Sequence, residues 1–340
     1  MLIDRLACPR SHSALRAEGD LLVSAENRKY PVVNGLPILL LDDHEQTIGI
    51  AQRSLAYGTG ELRDPRGLYL ESLGISDDER VGIERIREES RVDPVVSYLV
   101  GATNGIAYKD VIGTLRSYPV PDLRLPQAGP GRPKLLDIGC SWGRWCLAAE
   151  RKGYSATGID PSLGAVAAAK RVATEQKVPA EFVVGDSRFL PFPDASFEVV
   201  FSYSVLQHLS RENVRLTANE ISRVLKPGGL SLVQMPNYLG IRCLYHQARR
   251  GFRPPSGVFD VRYWSLRDLK SLFEERIGPS TFTVDCFFGL GLQKTDMALM
   301  SKRHRWIVRL SASLTALSVR WPWLVNVADS IYITSIKKGA

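Results

Sequence analysis

From Lys134 onward, short apolar runs alternate with helix-patterned ones, and this alternation constrains the fold more than any other feature. "KLLDIG" reads as a buried strand, "RWCLAAERKG" as a helix ending at Gly153, and "SATGID" as a second strand. "SLGAVAAAKRVATEQK" is a long helix that Ser162 is placed to cap. "AEFVVGD" and "FEVVFSYS" supply a third and a fourth strand. "RENVRLTANEISRVLKPGG" is a helix stopped at Pro227-Gly228-Gly229, and "LSLVQMP" is a fifth strand. "TFTVDCFF" and "SIYITSIK" suit two more strands, with a helical segment inserted between them. Strands that alternate with helices build a parallel sheet with helices on both faces. The expected fold class is therefore α/β: a doubly wound, seven-stranded, mostly parallel sheet.

A ligand of such a sheet lies beyond the carboxyl ends of the strands, where the strand order switches. The loop leaving the first strand, "DIGCSWGRW", carries Gly139 and Gly143. Glycine lets a backbone turn tightly and approach a ligand closely. Asp160 in "GIDPS" lies 21 residues past Gly139, the spacing at which an acid can grip ribose hydroxyls. The dinucleotide fingerprint GxGxxG is broken by Ser141, Trp142 and Arg144, and no GK[ST] follows. A nucleoside ligand without phosphates remains. Taken singly, Gly139 and Gly143 could be a simple turn, and Asp186 in "VVGDS" a turn acid. Ser141 is small enough for the backbone to pass near a cofactor, provided it needs no positive φ. Trp142 is expected to wall the ligand or to pack on neighbouring helices.

Residues 134 to 237 resemble a class I S-adenosylmethionine-dependent methyltransferase, Rossmann-like and of the ubiquinone-biosynthesis-like group. "LLDIGCSWGRW" resembles the family's first motif and "GIDPS" its second-strand acid. "VVGDSRFLPFPDASFEVVFSYSVLQHL" resembles the third and fourth motifs, and "RVLKPGGLSLVQMPN" the last. The resemblance implies S-adenosyl-L-methionine as cofactor. It implies that Asp137 positions the cofactor's amino group, and that the methionine moiety lies along Gly139, Ser141, Trp142 and Gly143. Asp160, with Pro161, takes the ribose hydroxyls. Asp186 takes the adenine amino group, with Ser187 and Arg188 lining the ring. Ser202 and Tyr203 lie near the sulfonium.

The implied reaction is O-methylation of a small-molecule or glycan-like acceptor. N- or C-methylation, and a protein that binds the cofactor without turnover, are the alternatives. His208 in "SVLQHLS" follows the fourth strand. It can serve as general base, since O-methylation removes a proton and His titrates near neutrality. It can equally cap the next helix. "GATNGIAY" precedes the core, where relatives fold a lid, and offers Asn104 and Tyr108 as acceptor contacts; a glycine-broken helix explains them as well. "VFDVRYWS" offers Arg262 and Tyr263, or else is the packed start of a helix capped by Ser265.

Three regions follow: a module over 1–42, a helical lid and linker over 43–127, and the cofactor-binding domain over 128–340. In the first, "LLVSAENRKYPVVNGLPILL" reads as two short strands, a Val-Asn-Gly turn and a buried run. "LACP" and "YPVVNGLPILL" resemble a small zinc ribbon found beside methyltransferases. Its metal positions read Cys8, Ser11, Val23 and Glu26, and one thiolate of four cannot hold Zn²⁺. A metal-free module is expected. In the second, Val81, Ile83 and Ile86 pattern a surface helix.

An amphipathic insertion spans 300–327, with Trp306, Leu310, Leu314 and Leu317 on one face. Packing on the domain or on a second subunit is the commoner arrangement for such a helix. Its basic start, with Trp321 and Trp323, also suits peripheral contact with an anionic membrane through 302–325. The net charge of +8 includes no Lys/Arg run long enough for a nucleic-acid arm. Five scattered cysteines argue against a disulfide framework. No apolar stretch approaches the ~20 residues of a spanning helix, and the N-terminus lacks the layout of a signal peptide. The expected location is cytoplasmic.

Overall fold

The computed structural model of the protein describes residues 2–62, 91–103, 115–254, 257, 260–289, 291 and 293–339. Its strands are β1 (Arg16–Glu18), β2 (Leu21–Val23), β3 (Lys29–Val33), β4 (Leu36–Leu39), β5 (Lys134–Ile138), β6 (Ser155–Asp160), β7 (Glu181–Gly185), β8 (Phe197–Ser202), β9 (Leu225–Pro236), β10 (Ser280–Cys286) and β11 (Ser330–Ile336). Its helices are α1 (Gly49–Gly58), α2 (Pro94–Thr103), α3 (Arg144–Arg151), α4 (Leu163–Glu175), α5 (Arg211–Val224), α6 (Ile241–Arg249), α7 (Leu266–Arg276) and α8 (Lys302–Arg320).

The strands form one sheet in the order β1-β2-β3-β4-β7-β6-β5-β8-β9-β11-β10. From β5 the chain steps outward through β6 to β7, then returns to the other side of β5 for β8 and β9, all in parallel. The switch point therefore lies at β5. The parallel strands are covered on both faces, and their sequences are correspondingly near-continuous apolar runs. β11 inserts antiparallel between β9 and β10.

Two boundaries differ from expectation. The sheet has eleven strands rather than seven, because β4 pairs in parallel with β7 through Ile38↔Val184 and Leu39↔Gly185. All four residues of β4 are buried. The N-terminal module is thus a continuation of the sheet that covers the β7 edge, which would otherwise expose unpaired backbone groups. Second, α5 ends at Val224, and Lys226-Pro227-Gly228-Gly229 belongs to β9. Leu225 lies opposite Phe197 and Leu230 opposite Val199, so these residues form a bulge between paired positions.

The two turns of the N-terminal module are tied by hydrogen bonds. Ser11 Oγ and Ser13 Oγ donate to Glu26 Oε2 at 2.7 and 3.1 Å, and Cys8 Sγ lies 3.2 Å from Tyr30 Oη. Among the described residues no cluster of His, Cys, Asp or Glu is placed to hold a metal ion. Of the expected lid, α1 and α2 are described; Val81, Ile83, Ile86, Asn104 and Tyr108 lie outside the described residues.

Candidate active site

The glycine loop is built across the end of β6. Gly139 leaves β5 at φ +74°, and the amides of Gly139 and Cys140 both donate to the Ile159 carbonyl, at 2.8 and 3.1 Å. Ser141 follows at φ +48°. The condition placed on serine here, that it need no positive φ, is not met: this is left-handed backbone, which disfavours any Cβ. The Ser141 amide is thereby aimed at Asp160, donating to Oδ2 at 3.0 Å, while Oδ1 accepts the Ser162 amide at 2.9 Å. Asp160 thus ties the loop to the start of α4, which Ser162 Oγ caps by accepting the Ala165 amide. Ser54 of α1 holds the same turn, donating to the Pro161 carbonyl and accepting the Leu163 amide.

The room that the glycines leave is used by the protein itself. A Cβ on Gly139 would stand 2.2 Å from Val205 Cγ2, and one on Gly143 3.0 Å from the Phe182 ring. Trp142 is 1% exposed and lies among Val96, Leu99 and Val100 of α2 and Ala168 and Val172 of α4. Of its two expected placements, packing on the helices is the one observed.

Two carboxyls at the strand ends are perturbed. Asp137 is 1% exposed, and burial pushes it up to about 7 against a hydrogen bond from the Cys146 thiol at 3.4 Å. Its Oδ1 has no hydrogen-bond partner. Burial pushes Asp160 up to about 6, opposed by the Ser162 and Ser141 amides. Acids that ionise reluctantly gain most from a nearby positive charge. S-adenosylmethionine carries an ammonium and a sulfonium, so this pair and the unpartnered Oδ1 fit it.

Asp186, just past β7, is buried and already gripped. Arg188 reaches it through Nε (3.2 and 3.0 Å), Nη2 (2.7 Å) and its own amide (2.8 Å), and also donates to the Glu45 carbonyl. Ser187 turns to α5, with Oγ 2.9 Å from Thr217 Oγ1.

Ser202 Oγ donates to the Ile138 carbonyl, joining β8 to β5. Tyr203 is 9% exposed, and burial raises its phenol well above the ordinary value. It donates to Asp285 Oδ2 at 2.8 Å and accepts from Gln293 Nε2 at 2.7 Å. Ser330 links Asp285 to Gln234, whose Oε1 accepts the Ser204 amide. This buried network fixes the turn after β8, which carries Val205 and His208.

His208 closes a 3₁₀ turn, Leu206–His208. Its Nε2 lies 3.2 Å from Gln207 Nε2, and its carbonyl accepts Arg262 Nη1 at 2.6 Å. The Arg262 amide donates to the Gln207 carbonyl at 2.8 Å. Two residues 54 apart in sequence are thus brought together. The capping alternative for His208 is not observed, since Ser210 Oγ caps α5 by accepting the Asn213 amide. Tyr263 lies under the Arg250 guanidinium, 6.0 Å from ring centre, and burial pushes its phenol up to about 12. Ser265 caps α7, as expected. Val205 and Cys146 were not singled out in the sequence. Val205 matters through a contact with Gly139, distant in the chain, and Cys146 through one with Asp137 across the glycine loop, and neither carries a local signal.

Residues 136–233 match the family model described as a methyltransferase domain. That match covers under a third of the chain. The domain is similar to the 2-methyl-6-phytyl-1,4-hydroquinone methyltransferase of Synechocystis sp., 38% identical over 31% of this chain and 32% of that protein. It is also similar to the ubiquinone biosynthesis O-methyltransferase of Bradyrhizobium sp., 32% identical over 31% of this chain and 40% of that protein. The chain therefore spans well under half the length of these relatives. The YcgJ protein of Bacillus subtilis superposes with a TM-score of 0.43 at 23% identity, over 63% of this chain and 95% of that one.

Proposed function

We propose that the chain transfers a methyl group from S-adenosylmethionine to an oxygen of a small-molecule or glycan-like acceptor. The observation that carries this reading is the pair of raised carboxyls, Asp137 and Asp160, set beside the glycine loop where the strand order reverses. The cofactor supplies an electrophilic methyl group on a sulfonium. Asp137 Oδ1 accepts from its amino group, and Asp160 holds the ribose hydroxyls. Asp186 shares its carboxylate between Arg188 and the adenine amino group. Methyl transfer is an in-line displacement, so catalysis is largely positioning, and the Tyr203–Asp285–Ser330–Gln234 network supplies that rigidity for the turn after β8.

His208 takes the acceptor's proton as general base, with Gln207 and Arg262 fixing the turn that carries it. Arg262 and Tyr263 bound the acceptor side. The O-methyltransferase relative supports oxygen over nitrogen or carbon. The test is a screen of metabolite extracts with a labelled methyl donor, followed by kinetics on the acceptor found. Replacing His208 with Ala lowers kcat by about 10²-fold or more and leaves cofactor affinity unchanged. Undiminished turnover in that variant removes the base assignment.

A further inference from the structure

Among the described residues eleven large apolar side chains are exposed, and ten of them fall on two stretches. Five lie on or beside α6, including Ile241 and Tyr245. Five lie on α8 and the 3₁₀ turn Pro322–Asn326, including Trp306 at 64%, Val319 at 85% and Trp323 at 61% exposed. The two stretches, 237–253 and 302–326, also hold nine Lys and Arg and no Asp or Glu. The rest of the chain has 35 basic against 36 acidic residues, so the whole positive excess resides here.

The stretches adjoin. The Ile241 amide donates to the Val327 carbonyl at 3.3 Å, and Asn237 Nδ2 to the Asn326 carbonyl at 2.8 Å. Two acids approach from neighbouring segments. Asp260 lies 3.8 Å from Arg250, and the buried Asp329 accepts the backbone amides of Arg242 and Cys243. Neither neutralises the exposed cations of α8.

An ordinary covering helix buries its apolar stripe against the core. α8 instead buries Val308 and Ser311 and leaves Trp306 and Leu317 outside. We propose that this face docks the chain on an anionic lipid bilayer. Indole rings settle at the headgroup level, aliphatic side chains enter the acyl boundary, and arginines meet lipid phosphates. Nucleic acid would match the charge but not Val319 and Ile241. A protein partner would match the apolar side chains but has no need of so large a positive excess on one face. The mode is in-plane, since no helix among the described residues is long and apolar enough to cross a membrane.

The experiment is co-sedimentation of the full chain with phosphatidylcholine vesicles, with and without phosphatidylglycerol, at low and high salt. Binding to the anionic vesicles is expected, about tenfold or more above that to phosphatidylcholine alone, and reduced by salt. Trp321→Ser with Trp323→Ser, and separately Arg303→Glu with Arg305→Glu, each weaken it about tenfold or more with thermal melting unchanged. Equal sedimentation with both vesicle types, or none with either, overturns the proposal. So does a lipid-free dimer that the tryptophan variant dissociates, because the face would then join two copies of the chain. Vesicle binding is read without turnover, so its failure leaves the proposed methyl transfer standing.

Discussion

The Ser141 amide donates to Asp160 Oδ2 at 3.0 Å, and it can do so because Ser141 is left-handed at φ +48°. The strained turn and the clasp are one feature, since relaxing φ would swing the amide away from the carboxylate. Ser141→Gly removes the Cβ penalty and keeps the amide. A gain of about 0.5–1 kcal/mol in urea unfolding is expected, net of glycine's extra unfolded-state freedom, with cofactor affinity unchanged. A loss of stability would show that the serine side chain holds the turn.

Asp137 makes stability depend on pH. Its carboxyl rises from 3.8 to about 7 on folding through burial. Folding therefore takes up a proton between those values, and stability falls as pH rises through that window. Asp137→Asn removes the dependence. Near pH 8 it should stabilise the free protein by on the order of 2–4 kcal/mol, the gain fading toward pH 4. Cofactor binding runs the other way and weakens as pH falls from about 8 to about 5, because protonated Asp137 no longer attracts the amino group's positive charge and protonated Asp160 is a poorer acceptor for the ribose hydroxyls. Urea melts and cofactor titrations across this range check both signs. A pH-independent difference would contradict the assignment.

What was legible in the sequence was local. Ser162 and Ser265 cap their helices because a cap is decided within three residues. The strands from β5 to β9 announce themselves because both their faces are covered. What was not legible was tertiary. Lys226-Pro227-Gly228-Gly229 reads as a helix stop, but Phe197 and Val199 on β8 accommodate it as a bulge. Nothing in "LPILL" indicates that it will pair with β7, about 145 residues away. Asp160 and Asp137 could be picked out from spacing and motif. The left-handed Ser141 could not, because serine is not a residue that advertises that conformation. The stripe read on α8 is real as a pattern, but the helix turns part of it outward.

Gly139 is required by Val205. A Cβ there would stand 2.2 Å from Val205 Cγ2, on backbone at φ +74°. Gly139→Ala should cost about 2–4 kcal/mol, combining overlap with left-handed strain. Adding Val205→Ala should return the steric part and leave about 1–2 kcal/mol. Urea unfolding of the two variants tests this. Failure of the second change to rescue the first would mean that something else fills the space.

The N-terminal strands protect the sheet. Deleting residues 2–42 strips β4 from the β7 edge and removes the ion pair of Arg5 with Glu181. The truncated chain should aggregate, or melt well below the full chain, because a bare apolar edge templates strand addition. A soluble truncated chain with an unchanged melting temperature would contradict the continuous eleven-stranded sheet.

Calorimetric titration of S-adenosylmethionine into the wild-type chain and into Asp160→Ala tests cofactor binding at the ends of β5 and β6 most directly. One saturable site is predicted for the wild type. In the variant, which leaves the Ser141 and Ser162 amides unpaired, affinity should be weaker by about ten- to a hundredfold. Absence of binding to the wild type, or equal affinity in the two proteins, would contradict it.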